Sequence, residues 1–212
     1  MFRGWPWLTL AVPLALLVAR PDRDPATATA APAAAPGRLG DRVLVDRRRA
    51  LILPDGQVRT VLSLLKVARP MRFGDYRWNE DGVPAGPVWI RVDPARQTLS
   101  VFRAGHEIGT AVILYGTPDK PTPIGVFPVL AKAADYRSRT YDAAMPYALR
   151  LTGDGVAIHA SDVRERYATH GCIGVPFDFA RRLFAAVGRG DVVAIVSAAP
   201  VRVAAMGAST SR

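Results

Sequence analysis

The sequence predicts a mainly β fold, a β-rich sandwich with one or two short helices, preceded by an N-terminal helical segment. From Val88 onward the chain is a series of short runs rich in β-branched and aromatic residues, separated by turn signals at Asp93-Pro94 and Ala104-Gly105. The long strand–helix alternation that indicates a parallel α/β sheet is absent from the pattern. These observations place a β-rich domain over residues 88–197, followed by a C-terminal tail at 198–212.

The first 37 residues are predicted to lie outside that domain. Arg3 precedes an apolar run at residues 7–19, which is shorter than the ~20 residues that span a bilayer. Residues 1–20 are therefore interpreted as an export signal, or as an uncleaved membrane anchor. Residues 21–37, PDRDPATATAAPAAAPG, are typical of a linker.

The segment at 38–87 is predicted to contain a helix over residues 57–68, ended by Pro70. Apolar residues at helical spacing favour it: Val58, Val61, Leu62, Leu64, Leu65 and Val67.

The later elements follow in order. VWIRVD, TLSVF, IGTAVILYG and VFPVL predict strands, and residues 147–160 predict two strands joined by Gly153-Asp154-Gly155. A helix is predicted to begin at Asp178 as its N-cap and to end before Gly188. DVVAIV predicts a last strand.

The net charge of +10 predicts an anionic partner, such as nucleic acid, a membrane surface or a cell-wall polymer. Apart from Arg47-Arg48-Arg49 the basic residues are dispersed, and no zinc-finger or RNA-binding signature accompanies them. Nucleic-acid binding is therefore not expected.

Cys172 is the one cysteine of the 212 residues, so it is either a small buried hydrophobe or a reactive thiol. Of the three histidines, His170 lies two positions before it and His159 ends an apolar strand. An imidazole that takes the thiol proton would produce the nucleophilic thiolate. The polar stretch SDVRERYAT between His159 and Cys172 would allow the two side chains to meet.

Other interpretations of these residues stay open at this point. Gly171 permits a tight turn, and the N–H groups around Gly171 and Cys172 are placed to form an oxyanion hole. A metal site made of His159, His170 and Cys172 is disfavoured, because no carboxylate stands at zinc-ligand spacing. His106 follows an apparent turn and is expected to be a solvated loop residue. A purely structural Cys and His remain the alternative.

Residues 88–196 resemble the catalytic domain of the L,D-transpeptidase family, also called the YkuD domain. The resemblance lies in IHA at 158–160, THGCI at 169–173 and TPIGVF at 122–127. It implies an exported enzyme of the periplasm or cell envelope that acts on peptidoglycan stem peptides, in cell wall organisation and cell shape. It implies no metal and no other cofactor.

The resemblance also implies roles. Cys172 would be the nucleophile and His159 its general acid/base, while the carbonyl of Ala160 orients the imidazole. His170 and Gly171 would shape the pocket and oxyanion site, and Thr169 stands where the family has Ser or Thr. The expected reaction releases the terminal D-alanine of a tetrapeptide stem and joins the acyl group to an amine. Two alternatives are an L,D-carboxypeptidase and a noncatalytic peptidoglycan-binding module.

Two positions depart from the family pattern. Ala160 stands where many members have Gly, and Gly174 stands where Arg or Asn is common. One hypothesis is that Arg137 or Arg139, in the loop YRSRTYD, supplies the missing charge. The alternative is that both arginines are simply solvated.

Overall fold

The computed structural model describes residues 42–197, and for residues 46–49 the backbone alone. The predicted export signal or anchor at 1–20, the linker at 21–37 and the tail at 198–212 lie outside the described residues. None of the helices in the described range has the length and apolar character needed to cross a bilayer.

Residues 42–197 form twelve strands and one α-helix. In chain order they are β1 (Arg42–Ile52), β2 (Val58–Leu65), β3 (Tyr76–Trp78), β4 (Val88–Asp93), β5 (Thr98–Arg103), β6 (His106–Val112), β7 (Gly125–Pro128), β8 (Ala131–Ser138), β9 (Ala143–Arg150), β10 (Ala157–Ala160), β11 (Ile173–Val175), α1 (Phe177–Ala186) and β12 (Val192–Ile195). The prediction of a mainly β fold with one or two short helices is confirmed.

The strands form two mixed sheets. The larger sheet has the order β1-β2-β6-β5-β4-β12-β7, with β3 also paired to β6. Its pairs are antiparallel except β2 with β6 and β4 with β12. The smaller sheet has the order β11-β10-β9-β8, and its one parallel pair is β10 with β11. These two strands are consecutive in the chain and are joined by an irregular loop at residues 161–172.

The main core forms between the two sheets and α1. Alternation along β4 explains how the larger sheet serves two cores: Ile90 faces the main core, whereas Trp89 faces the opposite side. There Trp89 stacks on Phe102 with ring centroids 4.4 Å apart. The smaller sheet and the helix complete the main core with fully buried side chains: Leu149, Ile158, Ile173, Phe179 and Leu183.

The helix predicted over residues 57–68 is wrong, because the chain between Val58 and Leu65 is strand β2. Val61, Ser63 and Leu65 are buried, whereas the residues between them are more exposed. This two-residue period belongs to a strand, and pairing with β1 and β6 outweighs the helical spacing of the leucines. The described part of the predicted N-terminal helical segment therefore consists of strands and loops.

The helix predicted near residue 178 is present as α1, but Asp178 is not its N-cap. Pro176 occupies that position without a side-chain hydrogen bond. Asp178 lies in the first turn, where its carboxylate faces the positive end of the helix dipole. At the other end, the ammonium group of Lys132 donates to the carbonyls of Phe184 and Val187, which stabilises the helix C-terminus.

Candidate active site

His159 and Cys172 line the same cavity, which has a volume of about 270 Å³. Its wall also includes Ala168, Thr169 and His170, Leu114 from the chain after β6, and the following residues of the smaller sheet and its loops: Ser138, Tyr141, Ala143, Ala144, Met145, Ser161, Asp162 and Tyr167. The residues that the sequence pointed to as a cysteine–histidine pair are thus brought together.

The parallel pairing of β10 with β11 explains why these two side chains line one cavity. His159 lies beside Gly174 in the ladder, and Cys172 stands two positions before Gly174. Because side chains alternate along an extended chain, positions 172 and 174 face the side that His159 faces. The backbone ladder, and not the long loop, therefore brings the imidazole and the thiol to one face of the sheet.

A tight turn presents the thiol of Cys172. Gly171 has φ = +107°, a conformation that L side chains rarely adopt, so this position requires glycine. The hydroxyl of Thr169 donates to the carbonyl of Cys172 at 2.5 Å and closes the turn. Cys172 itself is half-buried, with its Sγ 3.8 Å from the carbonyl oxygen of Gly155.

The loop that contains TPIGVF supports this turn from outside. Gly116 pairs with Thr169 in an isolated bridge, and its N–H donates to the hydroxyl of Thr122 at 2.9 Å. A Cβ at Gly116 would stand 2.0 Å from the carbonyl oxygen of Lys120, so the loop closes over a position that admits no side chain. The carbonyl of Pro121, in the same loop, lies against Gly171.

His159 is held in one tautomer. Its Nδ1 lies 2.9 Å from the carbonyl oxygen of Ala160, and a carbonyl only accepts, so Nδ1 carries the proton. The lone pair of the neutral ring is then on Nε2, the atom that can receive a proton. The ring is buried, with 8% of the residue exposed.

Burial sets the protonation of both groups. It lowers the pKa of His159, and the hydrogen bond to Ala160 opposes this by stabilising the imidazolium. Burial likewise raises the pKa of the Cys172 thiol; the N–H of Ala157 opposes the rise, and the carboxylate of Asp154 adds to it. Both shifts favour the uncharged forms, a neutral thiol at Cys172 and a neutral imidazole at His159.

Gly174 has no room for a side chain. A Cβ at this position would stand 2.7 Å from the Oγ of Ser161 and 2.8 Å from its Cβ. The Ser161 side chain therefore occupies the space into which a residue at 174 would project. The Oγ of Ser161 also lies 3.4 Å from Nδ1 of His159.

His170 stacks on Tyr141, with ring centroids 4.6 Å apart and an angle of 16° between the planes. Within the described residues, Arg137 and Arg139 do not line the cavity of Cys172. Arg137, near the end of β8, instead pairs with Asp142 of the β8–β9 connection at 2.7 Å, and both side chains are exposed. The structure thus shows no contact with the cavity that would support the hypothesis that Arg137 or Arg139 supplies the missing charge.

The prediction that His106 is a solvated loop residue is wrong. His106 begins β6, is half-buried, and its Nδ1 lies 2.9 Å from the buried hydroxyl of Ser63. Its neighbour Glu107 is buried and accepts from the N–H of Leu65 at 2.8 Å. Together these bonds join β2 to β6. Among the side chains described, those of residues 42–45 and 50–197, no three His, Cys, Asp or Glu residues come together in a group that could hold a metal ion.

Sequence reasoning missed Ser161 and Tyr141 as members of the site. Neither stands in a motif, and each reaches the cavity only because of how the strands pair. The one signal for Ser161 is its place two residues after His159, which puts both side chains on the same face of a strand.

Several known proteins are similar to this chain in sequence. The sequence profile described as the YkuD L,D-transpeptidase catalytic domain matches residues 87–195. L,D-transpeptidase 1 of Mycobacterium tuberculosis is 34% identical over 134 residues, covering 55% of this chain and 53% of the relative. The chain thus spans about half the length of the curated relatives it matches.

Solved structures of similar proteins include M. tuberculosis L,D-transpeptidase 1, with 29% identity, 51% of this chain and 61% of that chain covered, and a TM-score of 0.45. The catalytic domain of the E. faecium L,D-transpeptidase has 29% identity, 51% and 96% coverage, and a TM-score of 0.44. The profile match, which spans half of the chain, decides the assignment: this chain belongs to the L,D-transpeptidase catalytic domain family.

Proposed function

We propose that this chain is a peptidoglycan L,D-transpeptidase in which Cys172 is the nucleophile and His159 the general acid/base. The observation that carries the proposal is the fixed tautomer of His159. Its Nδ1–H donates to the carbonyl of Ala160, so the lone pair of Nε2 can accept the thiol proton of Cys172, which lines the same cavity. Family membership supplies the substrate class, the stem peptides of peptidoglycan.

In the first half-reaction, Cys172 Sγ attacks the carbonyl carbon that precedes the terminal D-alanine of a tetrapeptide stem. Nε2 of His159 takes the thiol proton as the S–C bond forms. The imidazolium then gives that proton to the departing nitrogen of D-alanine as the C–N bond breaks. The products are free D-alanine and a thioester at Cys172.

In the second half-reaction, an amine of a neighbouring stem attacks the thioester. His159 takes a proton from the attacking nitrogen and returns it to the sulfur as the C–S bond breaks. The new amide is the cross-link. The same thioester opened by water would make the enzyme an L,D-carboxypeptidase.

The negative oxygen of each tetrahedral intermediate needs hydrogen-bond donors. We assign this role to the backbone N–H groups around Gly171 and Cys172, in the turn closed by Thr169. His170 shapes the pocket, where its ring stacks on Tyr141. The chemistry uses a thiol, an imidazole and backbone groups, with no metal or cofactor.

The proposal includes an architecture and a location. The two sheets would form the β-rich sandwich of the family, with residues 88–197 as the catalytic domain. Residues 1–20 would direct export to the periplasm or cell envelope, either cleaved or kept as a membrane anchor.

The test is incubation of the full 212-residue chain with purified disaccharide-tetrapeptide, followed by mass spectrometry, beside a Cys172→Ala control. Cross-linked dimers that lack one alanine, absent with the control, are the expected result. Loss of alanine without dimers would favour the carboxypeptidase. No change in either sample would refute the acyl-transfer proposal and favour a noncatalytic peptidoglycan-binding module.

A further inference from the structure

The space beside Gly174 is filled from across the parallel pair by Ser161. The backbone of Ser161 is anchored there, since its N–H donates to the carbonyl of Val175 at 2.8 Å and so continues the ladder between β10 and β11. Because Ser161 is two residues after His159, both side chains face the side of the strand that carries Cys172. Gly174 and the hydroxyl of Ser161 are thus parts of one packing arrangement beside the imidazole.

The Ser161 hydroxyl is placed to act on His159. Nδ1–H of the imidazole points to the carbonyl of Ala160 at 2.9 Å, and the Ser161 Oγ lies 3.4 Å from the same nitrogen. Since Nδ1 carries the proton, Ser161 can only accept there. The long distance describes a second, weaker acceptor for one N–H, which restricts rotation of the ring about its Cβ–Cγ bond.

Ser161 also stands at a boundary of the site. It lines the cavity that holds Cys172, and it lines a second cavity of about 670 Å³ on the other side, together with Ala144, Pro146, Val163 and Phe177. Ser161 thus lies where the two cavities adjoin, together with Ala144 and Asp162, which also line both. A larger residue at 174 would push the side chain of Ser161 away from His159.

We propose that Ser161 is a positioning residue for His159, in a place that stays open because position 174 is glycine. The inference rests on the proposed role of His159 as general base. When Nε2 takes the thiol proton, the positive charge of the imidazolium is shared with Nδ1–H. The carbonyl oxygen of Ala160 and the Oγ of Ser161 both accept a hydrogen bond from that N–H. Ser161 thus holds the ring and stabilises the form that appears during attack.

The first test is Ser161→Ala, which removes the Oγ alone. The rate of Cys172 alkylation by iodoacetamide at neutral pH is expected to fall about fivefold, equivalent to ~1 kcal/mol. The acid limb of the rate–pH profile is expected to move to lower pH, because the imidazolium loses an acceptor. A purely structural serine would lower the melting temperature without moving that limb, and an unchanged rate and profile would overturn the proposal.

The second test couples the two positions. Gly174→Ala alone is expected to slow alkylation at least as much as Ser161→Ala, since its Cβ would stand 2.7 Å from the Ser161 Oγ. In a Ser161→Gly background, which removes both close atoms, Gly174→Ala is expected to cost less than twofold further. An equal loss in both backgrounds would show that the two residues are not coupled and would overturn the proposal.

These measurements are separate from the test of the reaction itself. Alkylation needs no peptidoglycan substrate and reads only the thiol and its base. If the wild-type chain alkylates with the expected profile but makes no cross-links, the transpeptidase proposal fails and the Ser161 inference stands. Unchanged alkylation in Ser161→Ala beside normal cross-linking would overturn the Ser161 inference and leave the transpeptidase proposal standing.

Discussion

Thr169→Val tests the turn that presents Cys172, the proposed nucleophile. Valine has nearly the shape of threonine but no hydroxyl, so the carbonyl of Cys172 loses the hydrogen bond that it accepts at 2.5 Å. Such a bond contributes about 0.5–1.5 kcal/mol net. For a domain of this size that corresponds to a fall in melting temperature of roughly 1–6 °C.

The effect on the reaction is expected to be larger than the effect on stability. Misplacing a reacting group by ~1 Å costs about 100-fold in rate, and release of one bond in the turn is expected to shift Cys172 by part of that. We expect turnover to fall about tenfold in the mass-spectrometric assay. Thr169→Ser keeps the donor and is the matched control, with turnover near that of the wild type. A Thr169→Val variant with turnover within twofold of the wild type would refute the reasoning, as would an equal loss in Thr169→Ser.

Three further variants test other parts of the fold. Asp154→Asn removes a carboxylate that raises the pKa of Cys172, so the alkylation profile is expected to move to lower pH and the rate at pH 7 to rise. Gly116→Ala is expected to destabilise the chain by about 1–3 kcal/mol in urea unfolding, because its Cβ would overlap a backbone carbonyl. Glu107→Gln tests a buried carboxyl whose pKa is raised, chiefly by burial. The raised pKa makes the protonated carboxyl stabilise the folded wild type. This stabilisation is fully present below the unfolded pKa and is lost as pH rises through the folded pKa. The free energy of unfolding of Glu107→Gln is therefore expected to rise relative to that of the wild type as pH rises from 4 to 7.

For each of these three variants, a different result would contradict the prediction. An alkylation profile that does not move in Asp154→Asn would mean that the carboxylate does not act on the thiol. Gly153→Ala is the control for Gly116→Ala, because a Cβ at Gly153 meets nothing within 4 Å, and equal destabilisation of the two would count against the steric argument. A stability difference between Glu107→Gln and wild type that stays constant with pH would contradict a raised pKa for the Glu107 carboxyl.

Strands that are rich in β-forming residues and bounded by turn signals can be predicted from the sequence, whereas strands defined mainly by pairing with a neighbour cannot. Strand β4 is predicted at its observed bounds because VWIRVD is rich in β-formers and ends at Asp93-Pro94. Strand β8 escapes prediction because AKAADYRS is largely exposed and has few β-formers, so its pairing with β9 defines it. Strand β2 is mistaken for a helix because its leucines satisfy a helical spacing equally well.

Some residues of the site can likewise be predicted from the sequence, and others cannot. Cys172 and His159 can be picked out because a thiol and an imidazole have chemistry that few residues share. Ser161 and Tyr141 are ordinary surface-type residues, and their contacts with His159 and His170 depend on register and loop packing. Register is a property of paired strands, which a single sequence does not display.

The connection between β10 and β11 has a practical consequence for anyone who wishes to attach a label or tether to this protein. The ladder fixes His159 beside Gly174, two positions after Cys172. The length of the loop that joins β10 to β11 therefore does not set this register. The exposed tip at 164–166 is closed by a hydrogen bond from the N–H of Tyr167 to the carbonyl of Arg164 at 3.3 Å, and those three residues do not line the cavity. Lengthening an exposed loop costs little free energy, since each doubling adds only ~0.6 kcal/mol. A peptide tag or fluorophore site inserted at 164–166 would therefore report on the cavity from one loop away while leaving the pairing of β10 with β11 unchanged.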